Sequence, residues 1–331
     1  MSIRNVKPLV IVGIVALALL AITVRYKPSV DETFQNQARP DRNRRQGLVS
    51  WFTQKLDTIT INEQFVHIYD IQRGNKEANV TKPFACVDLK TSATVVAPIC
   101  IYDPAVDIYV SKTIQSTSAW EKELIQMMFQ ILDQNPDMEF LDLGCNIGAY
   151  TVSIAKYGRR TVSVDANKNN LIFLSRSLTL GNIQDRATLI WNAIADKNEI
   201  VSLNFEAKNV GGTFVKSIKD AAAANDEQTV MAITLNNITD IFRGKNLLIK
   251  MDIQEHEWYA LQGARDFFKA VNITHILMEW VLHKTLPSGG EIVKYMVEHK
   301  FSAYNPRSNP KQVLSNDNWS TWPYDVLWIK S

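Results

Sequence analysis

The chain has 331 residues, of which 46% are hydrophobic and 21% charged. This length and composition suffice to bury one full α/β core plus a smaller appendage, which argues against an intrinsically disordered protein. The formal net charge is only +2 at pH 7. Because no broad basic field exists to attract a polyanion, no nucleic-acid partner is predicted.

An uncharged apolar run covers residues 8–24, with basic residues on both sides. At about 1.5 Å per residue it spans about 25 Å, the short end of the transmembrane range. The alternative is a cleaved signal peptide, but the run is longer than a usual signal core, and Ile22-Thr23-Val24 makes a poor cleavage site. We therefore predict a short tail (1–7) and a single-pass anchor (8–24).

The side of the membrane on which the rest of the chain lies is open. Arginines after the run outnumber the basic residues before it, and this count alone keeps the following domain cytosolic. Long C-terminal domains translocate largely regardless of such counts. Cys86 and Cys100 are also close enough in the chain to form a disulfide in an oxidising compartment. We expect a lumenal domain in the Golgi or endoplasmic reticulum.

Three segments follow the anchor. Residues 25–47 are polar, with prolines and arginines, and predict a solvated stem. Residues 48–117 show short strand and turn patterns and predict a small extension that caps one face of the next domain. From Ser118, a capping-box pattern predicts the start of a helix and of the main domain, 118–331.

A glycine turn stands at the centre of that domain. The apolar stretch 140–143 predicts a strand, Gly144 and Gly148 follow, and the next residues are typical of a helix start. Gly144 permits a backbone conformation closed to other residues, and Gly148 permits close approach of a ligand. The turn lacks the third glycine of a dinucleotide fingerprint and the Gly-Lys-Ser/Thr of a triphosphate loop, so a smaller nucleotide-like ligand is expected.

Two further polar residues end predicted strands. Asp165 ends the second strand, 21 positions after Gly144, where a ribose meets a carboxylate that accepts both of its hydroxyls. Asn192, at the end of the third predicted strand (187–193), either bonds an adenine edge or satisfies a loop backbone. Strand and helix patterns then alternate, with strands at 246–253 and 274–280, an inserted pair at 200–205 and 230–235, a helix at 255–270 and a closing hairpin.

These landmarks resemble those of the FkbM-type S-adenosylmethionine-dependent methyltransferases. The resemblance covers roughly residues 139–330 and rests on Leu141–Gly148, Val164-Asp165, Asn209-Val210-Gly211, Thr234-Leu235, Ile249–Asp252 and Gly263-Ala264. It implies an α/β fold with the Rossmann-like doubly wound sheet of class I methyltransferases, S-adenosylmethionine as cofactor, and a hydroxyl of a glycan or other small hydroxylated molecule as acceptor. The family usually continues Asp-Val-Glu-Gly-x-Glu, whereas this chain has Gln254 and Glu255 at the middle positions.

The resemblance assigns roles to residues at the predicted carboxyl edge of the sheet. Asp142 either holds the methionine end of the cofactor indirectly or is a buried carboxylate that caps the turn. The cofactor-binding set is Asp142, Gly144, Asn146, Gly148, Asp165 and Asn192.

Methyl transfer from a sulfonium requires mainly alignment and removal of a proton from the acceptor. Asp252 and Glu279 end adjacent predicted strands, and His256 lies one helical turn beyond Asp252, so these three are the catalytic candidates. A histidine at a helix start also occurs as a surface or capping residue. His283, in the loop after the fifth strand, is a further candidate.

No metal site is predicted, because the chain has no Cys-x-x-Cys or His-x-x-x-His pair. Two classes of function remain open. The first is a membrane-anchored O-methyltransferase. The second is a catalytically inactive membrane protein that keeps the fold as a binding or trafficking surface, which the altered Gln254-Glu255 segment permits.

Overall fold

A computed structural model of the protein describes residues 65–81, 85–206, 208–217, 229–309 and 311–331. The predicted tail, anchor (8–24) and stem (25–47) lie outside these ranges. Within them, no helix is both long enough and apolar enough to cross a membrane.

The described helices and strands follow one another along the chain, here numbered separately. They are α1 (Ile71–Thr81), β1 (Ala85–Lys90), β2 (Val96–Ile101), α2 (Val110–Thr117), α3 (Lys122–Asp133), β3 (Glu139–Leu143), α4 (Ala149–Tyr157), β4 (Thr161–Asp165), α5 (Lys168–Leu180), β5 (Ala187–Trp191), β6 (Ala193–Ile194), β7 (Glu199–Glu206), β8 (Asn209–Ser217), β9 (Thr229–Ile233), α6 (Thr239–Phe242), β10 (Asn246–Met251), α7 (Glu257–Gln262), α8 (Arg265–Ala270), β11 (Asn272–Glu279), α9 (Ser288–Glu298), β12 (Phe301–Asn305), β13 (Gln312–Val313) and β14 (Asp325–Lys330).

The main sheet has the strand order β13-β12-β14-β11-β10-β3-β4-β5. Neighbouring strands from β5 to β11 are parallel, whereas β14 runs antiparallel to both β11 and β12. From β3 the chain winds outward through β4 to β5, then returns to β10 on the other side of β3. The predicted doubly wound α/β sheet is therefore confirmed, and its switch point lies between the carboxyl ends of β3 and β10.

The central strands are buried on both faces because helices cover both faces. Every residue of β3 and β4 is buried, as expected for parallel strands inside an α/β domain. Side chains alternate across the sheet. Phe140 and Leu248 join the apolar cluster of α3 and α4, whereas Leu141 and Ile249 join the cluster of α7, α8 and α9.

Three predicted boundaries are wrong. The third strand does not continue to residue 193, because it ends at Trp191 and β6 pairs with β9 in a separate sheet of order β6-β9-β7-β8. The helix predicted for 255–270 is two helices. The break falls at Gly263, where a Cβ would lie 2.5 Å from the carbonyl oxygen of Ala195. The capping box at Ser118 does not form, and α3 begins after Glu121, whose φ is +41°.

The segment before α3 packs beside the outer strands of the main sheet. Residues His67 and Tyr69 hydrogen bond to the free side of β5, through Trp191 N–H to His67 O and Tyr69 N–H to Leu189 O, both at 2.8 Å. Strand β2 lies on α5, where the Cys100 N–H donates to Ser177 Oγ at 2.8 Å. We call residues 65–117 the cap.

Strands β1 and β2 form an antiparallel ribbon within the cap. Cys86 is directly opposite Cys100 in the register, and the two are joined by a disulfide. The predicted pairing is therefore present in the structure. A disulfide in a ribbon of this kind restrains the unfolded chain more than the folded one.

Reduction of this disulfide is expected to lower the free energy of unfolding by about 3 kcal/mol, the chain-entropy value for a closed loop of about 15 residues. Urea titration of the full-length protein with and without reductant measures the change. The Cys86→Ala/Cys100→Ala variant is the control, since its midpoint should not respond to reductant. An unchanged midpoint for the reduced natural protein contradicts the prediction.

Candidate active site

The turn between β3 and α4 is built on Gly144, whose φ is +75°. A Cβ at this position would lie 1.8 Å from the carbonyl oxygen of Asp252. The glycine therefore meets two requirements, the left-handed backbone and the close approach of the loop that follows β10. These two loops meet at the switch point of the sheet.

Gly148 meets a packing requirement that the sequence did not predict. Its φ is +89°, so the left-handed backbone is as expected. A Cβ there, however, would lie 2.3 Å from Cδ1 of Leu174 on α5. The position is small because α4 packs tightly against α5, and close approach of a ligand is not needed to explain it.

Asp165 lies at the end of β4 and its carboxylate is held from three sides. Oδ2 accepts from the Asn146 N–H at 2.7 Å. Oδ1 accepts from the Asn167 N–H at 2.8 Å and from Asn170 Nδ2 at 3.1 Å. Burial raises the pKa of Asp165 to about 7, although these hydrogen bonds oppose the rise.

These bonds limit what Asp165 can offer a ligand. A carboxylate has about four acceptor positions, and the described residues occupy three of them. The position left over is on Oδ2. The structure therefore leaves room for one ligand hydroxyl without rearrangement, whereas the sequence predicted two. Asn146 supplies its N–H to Asp165 from a left-handed conformation, φ +51°, and its side-chain oxygen accepts from the Ile147 N–H at 2.7 Å.

Asp142 is fully buried inside β3. Its Oδ2 accepts from Thr151 Oγ1 at 2.6 Å, and Oδ1 has no hydrogen-bond partner among the described residues. Burial raises the pKa of Asp142, and the nearby Lys250 ammonium opposes that effect. An unpartnered buried carboxylate oxygen beside a ligand turn is the type of atom that a cationic ligand group or an ordered water satisfies.

Asn192 is 1% exposed and joins two separate segments of backbone. Its Oδ1 accepts from the His67 N–H, and its Nδ2 donates to the carbonyl oxygens of Phe65 and Met231, each at 2.9 Å. Both amide hydrogens are used, so none is left for an adenine edge. The structure supports the loop-backbone alternative and corrects the assignment of Asn192 to the cofactor.

The catalytic candidates Asp252 and Glu279 meet as predicted, at the ends of β10 and β11. Gln254 lies between them, and its Nε2 donates to Asp252 Oδ1 at 2.8 Å and to Glu279 Oε2 at 3.1 Å. Lys250 Nζ donates to the other Asp252 oxygen at 3.0 Å and to the carbonyl oxygen of Gly144 at 3.3 Å. Two carboxylates from adjacent strands are thus held in one place.

The two carboxyl groups have different electrostatic surroundings. Asp252 forms an ion pair with Lys250, with 3.0 Å between Oδ2 and Nζ. Burial raises the pKa of Glu279 well above its ordinary value, and the neighbouring Asp252 raises it further. Environments that differ in this way separate the roles of two acidic groups in one site.

The loop that departs from the family pattern is folded into this arrangement. Gln254 and Glu255 both have positive φ, +54° and +71°. Glu255 therefore occupies a backbone conformation that glycine adopts without cost, and the family pattern has glycine there. Gln254 replaces the family's glutamate with a side chain that donates hydrogen bonds to both carboxyl groups. The departure thus preserves the backbone path and changes the charge of the site.

The histidines lie differently from each other. His283 is 1% exposed and bonded at both ring nitrogens, to Glu257 Oε2 at 2.9 Å and to Ser288 Oγ at 3.0 Å. It stabilises the loop after β11 and does not face the crevice surface. His256 precedes α7, with its ring 5.3 Å from the Tyr259 ring. It stays a candidate by position only.

Several residues of the site escaped the sequence analysis. Tyr324 is 44% exposed, and its hydroxyl hydrogen bonds Glu279. The buried part of the phenol, together with nearby carboxylates, raises the pKa of Tyr324. Glu121 accepts from the Tyr150 hydroxyl at 2.7 Å, and Arg307 donates to Asp325 Oδ2 at 2.8 Å. These residues come from distant parts of the chain and belong to no local motif.

The residues at the turn suit a cationic nucleoside ligand. Asp142 has an unpartnered buried oxygen, and Asp165 has an acceptor position open toward the turn. Carboxylates attract the ammonium and sulfonium charges and accept from ribose hydroxyls. Within the described ranges, no group of three or more His, Cys, Asp or Glu residues is arranged to hold a metal ion.

Comparison with known protein families agrees with a cationic nucleoside ligand at this turn. Residues 142–303 match the family model of the methyltransferase FkbM domain. The match includes the glycine turn, Asp165, Asp252 and Glu279. It confirms the predicted methyltransferase domain and its cofactor, S-adenosylmethionine. No curated protein matches the chain.

Three solved structures of similar architecture are distant from this chain. One is a precorrin-6y C5,15-methyltransferase from Geobacter metallireducens GS-15, with 12% identity, a TM-score of 0.35 and coverage of 63% of this chain and 89% of that one. A SAM-dependent O-methyltransferase from Thermotoga maritima has 12% identity and a TM-score of 0.34, and the match covers 66% of this chain and 69% of that one. A magnesium protoporphyrin IX methyltransferase from Synechocystis PCC 6803 with bound SAM has 11% identity and a TM-score of 0.35, and the match covers 67% of this chain and 84% of that one. Likenesses this weak define no activity.

Replacing Asp165 by Ala is expected to weaken S-adenosylmethionine binding by about 1.5–3 kcal/mol, since a hydrogen bond to a charged group is lost. Isothermal calorimetry on the full-length protein measures this change in binding free energy. Asp137→Ala, an exposed aspartate on the turn before β3, is the matched control and should bind as the natural protein does.

The pH dependence provides a second test of the same assignment. A pKa of about 7 means that Asp165 gains a proton as the pH falls through 7. The protonated group accepts poorly, so the affinity of the natural protein should fall on the acid side of pH 7. The Asp165→Ala variant should lack this fall. Equal affinities and equal pH profiles would remove Asp165 from the cofactor site.

Proposed function

We propose that the protein is an S-adenosylmethionine-dependent O-methyltransferase that acts on a hydroxyl of a glycan or other small hydroxylated acceptor. The observation that carries this proposal is the pair of carboxyl groups, Asp252 and Glu279, held together by Gln254 beside the glycine turn. In open α/β sheets, ligands occupy the crevice outside the carboxyl ends of the strands at the switch point. This position of the pair supports a meeting of acceptor and cofactor beside it.

The bound cofactor supplies a methyl group already activated on a sulfonium. The protein must then align the acceptor and remove its proton. Asp252, paired with Lys250 at 3.0 Å, is suited to accept a hydrogen bond from the acceptor hydroxyl and orient it. Glu279 is the candidate base, because the ionised form of a carboxyl group with a raised pKa is a stronger base than an ordinary carboxylate.

The charge of the crevice favours an uncharged acceptor. Lys250 and Arg307 are its cations, and both are already paired with aspartates. The described carboxyl groups around Lys250 and Arg307 outnumber these two cations. The carboxyl groups are Glu121, Asp252, Glu279 and Asp325. A phosphate or sulfate group would compete with Asp252 and Asp325 for these two cations. The arrangement therefore supports a neutral polyol and disfavours an anionic acceptor.

Methyl transfer should depend on both carboxyl groups. Glu279→Gln and Asp252→Asn are each expected to lower the rate by about 10²–10⁴, the usual contribution of a positioned acid or base. Cofactor affinity should stay within a few-fold of that of the natural protein, because neither side chain contacts the glycine turn at which the cofactor is expected to bind. The assay incubates the full-length protein with labelled S-adenosylmethionine and matched panels of neutral glycosides, phosphorylated glycosides, lipids and peptides.

Glu291→Gln is the control, because Glu291 is exposed in the first turn of α9. It should transfer methyl groups at the natural rate. Label on neutral sugar hydroxyls supports the proposal. Label on nitrogen, on carboxylates or only on phosphorylated glycosides contradicts it. Cofactor binding without transfer to any acceptor favours the inactive binding protein instead.

We further propose that the domain is lumenal, behind a retained anchor at residues 8–24. The Cys86–Cys100 disulfide supports an oxidising compartment, since disulfides persist there and are rare in the cytosol. A lumenal position in the Golgi or endoplasmic reticulum also supports a glycan as the acceptor.

Protease treatment of sealed microsomes that contain the full-length protein tests this topology. We expect the large domain to resist digestion until detergent opens the vesicles. A cytosolic membrane protein with a known exposed domain serves as the control for protease activity. Digestion of the large domain in intact vesicles shows that the domain faces the cytosol and contradicts the proposed topology. Recovery of the protein in the soluble fraction argues against the anchor.

A further inference from the structure

We infer that Tyr102, in the cap, is a positioning residue of the cofactor site, acting through Asn170 on Asp165. This inference rests on the proposed role of Asp165 as a cofactor-binding carboxylate. It also gives a role to part of the 48–117 segment, for which the sequence indicated none.

A continuous chain of hydrogen bonds connects the cap to Asp165. The Tyr102 hydroxyl donates to Asn170 Oδ1 at 2.8 Å. Asn170 Nδ2 in turn donates to Asp165 Oδ1 at 3.1 Å. Asn170 is only 2% exposed, so water does not readily replace either bond. Because Tyr102 fixes which end of the Asn170 amide faces it, the hydroxyl sets the orientation in which Asn170 presents its N–H to the carboxylate.

Tyr102 is itself held by several contacts, so its position is well defined. Its ring packs against Phe173 of α5 with centroids 4.1 Å apart, and its N–H donates to Ser111 Oγ at 3.1 Å. Ser111 Oγ donates to Asp107 Oδ2 at 2.5 Å. Beyond Asp107, the Ile108 N–H donates to the Lys208 carbonyl oxygen at 3.1 Å, at the start of β8. The loop between β2 and α2 is therefore fixed at both sides of the tyrosine.

The electrostatic surroundings predict how Asp165 responds when Tyr102 is altered. The titratable groups that act on or near Asp165 are Asp142 from β3, Cys145 from the turn and Tyr102 from the cap, with Asp107 acting on Tyr102. Lys250 from β10 acts in turn on Asp142 and Cys145, and Lys168 lies in the first turn of α5. The hydrogen bond from Asn170 lowers the pKa of Asp165 against the effect of burial. A less firmly held Asn170 should therefore let that pKa rise further.

Tyr102→Phe removes only the hydroxyl and keeps the ring against Phe173. At pH 7, S-adenosylmethionine should bind about three- to tenfold more weakly to this variant, the scale of one net hydrogen bond. The loss of affinity on the acid side should begin at a higher pH than in the natural protein. Near pH 9 the two affinities should converge, because Asp165 is ionised in both. Calorimetry on the full-length protein from pH 5.5 to 9 gives both readouts.

Tyr157→Phe is the matched control, since it removes a tyrosine hydroxyl that bonds only the exposed Asp133. Its affinity and pH profile should equal those of the natural protein. Asn170→Ala is the second variant and reports on the same chain of bonds if Tyr102→Phe folds poorly. The effects of Tyr102→Phe and Asn170→Ala should be strongly non-additive in the double variant, because the tyrosine acts through the asparagine.

The outcomes separate the inference from the function on which it rests. Absence of S-adenosylmethionine binding to the natural protein overturns the proposed function. Binding by the natural protein, with Tyr102→Phe indistinguishable from it at every pH, overturns only the positioning role. A uniform loss at every pH, together with a lowered Tm and additive effects, shows a merely structural tyrosine and also overturns the inference.

Discussion

The arrangement of the site depends on one buried cation. Lys250 extends from β10 and bonds both the Asp252 carboxylate and the carbonyl oxygen of Gly144, so a single ammonium links the two loops of the switch point. Burial lowers the pKa of Lys250, but Asp252, Asp142 and Glu121 outweigh that effect and keep it charged. The Tyr150 ring lies 5.4 Å from the ammonium and adds a further favourable contact.

This cation also explains why so many acidic side chains can share one crevice. An uncompensated buried carboxylate costs several kcal/mol, so acidic groups in such a place are protonated, hydrogen bonded or paired. Asp252 is paired, Asp142 and Glu121 lie in the field of Lys250, and Glu279 has a raised pKa. The successive left-handed residues Gln254 and Glu255 store additional strain at the same point, which is common where a loop must aim a functional side chain.

Local spacing in the sequence was enough to identify the ligand turn and the strand that carries Asp165, because strand, glycine turn, helix and carboxylate follow each other within about 30 residues. It also placed Asp252 and Glu279 together, since adjacent parallel strands end at one edge. Sequence could not assign Asn192, because its three partners lie in segments far from it in the chain. It could not find Tyr324, Glu121 or Tyr102 for the same reason, as each reaches the site only through tertiary packing. Sequence also could not show the packing requirement at Gly148, because the neighbour that forbids a Cβ there is Leu174.

The strand order has a consequence for the biosynthesis of the protein. Strand β10 lies between β3 and β11, yet about 100 residues separate the end of β3 from its start. At ribosomal rates of about 5–20 residues per second, the edge of β3 waits about 5–20 s for its partner. During that interval the edge of a strand that is buried in the folded protein, with the loop after β10 still missing, is open to incorrect pairing. The nascent chain is therefore most in need of chaperone protection after β5 is made and before residue 251 emerges.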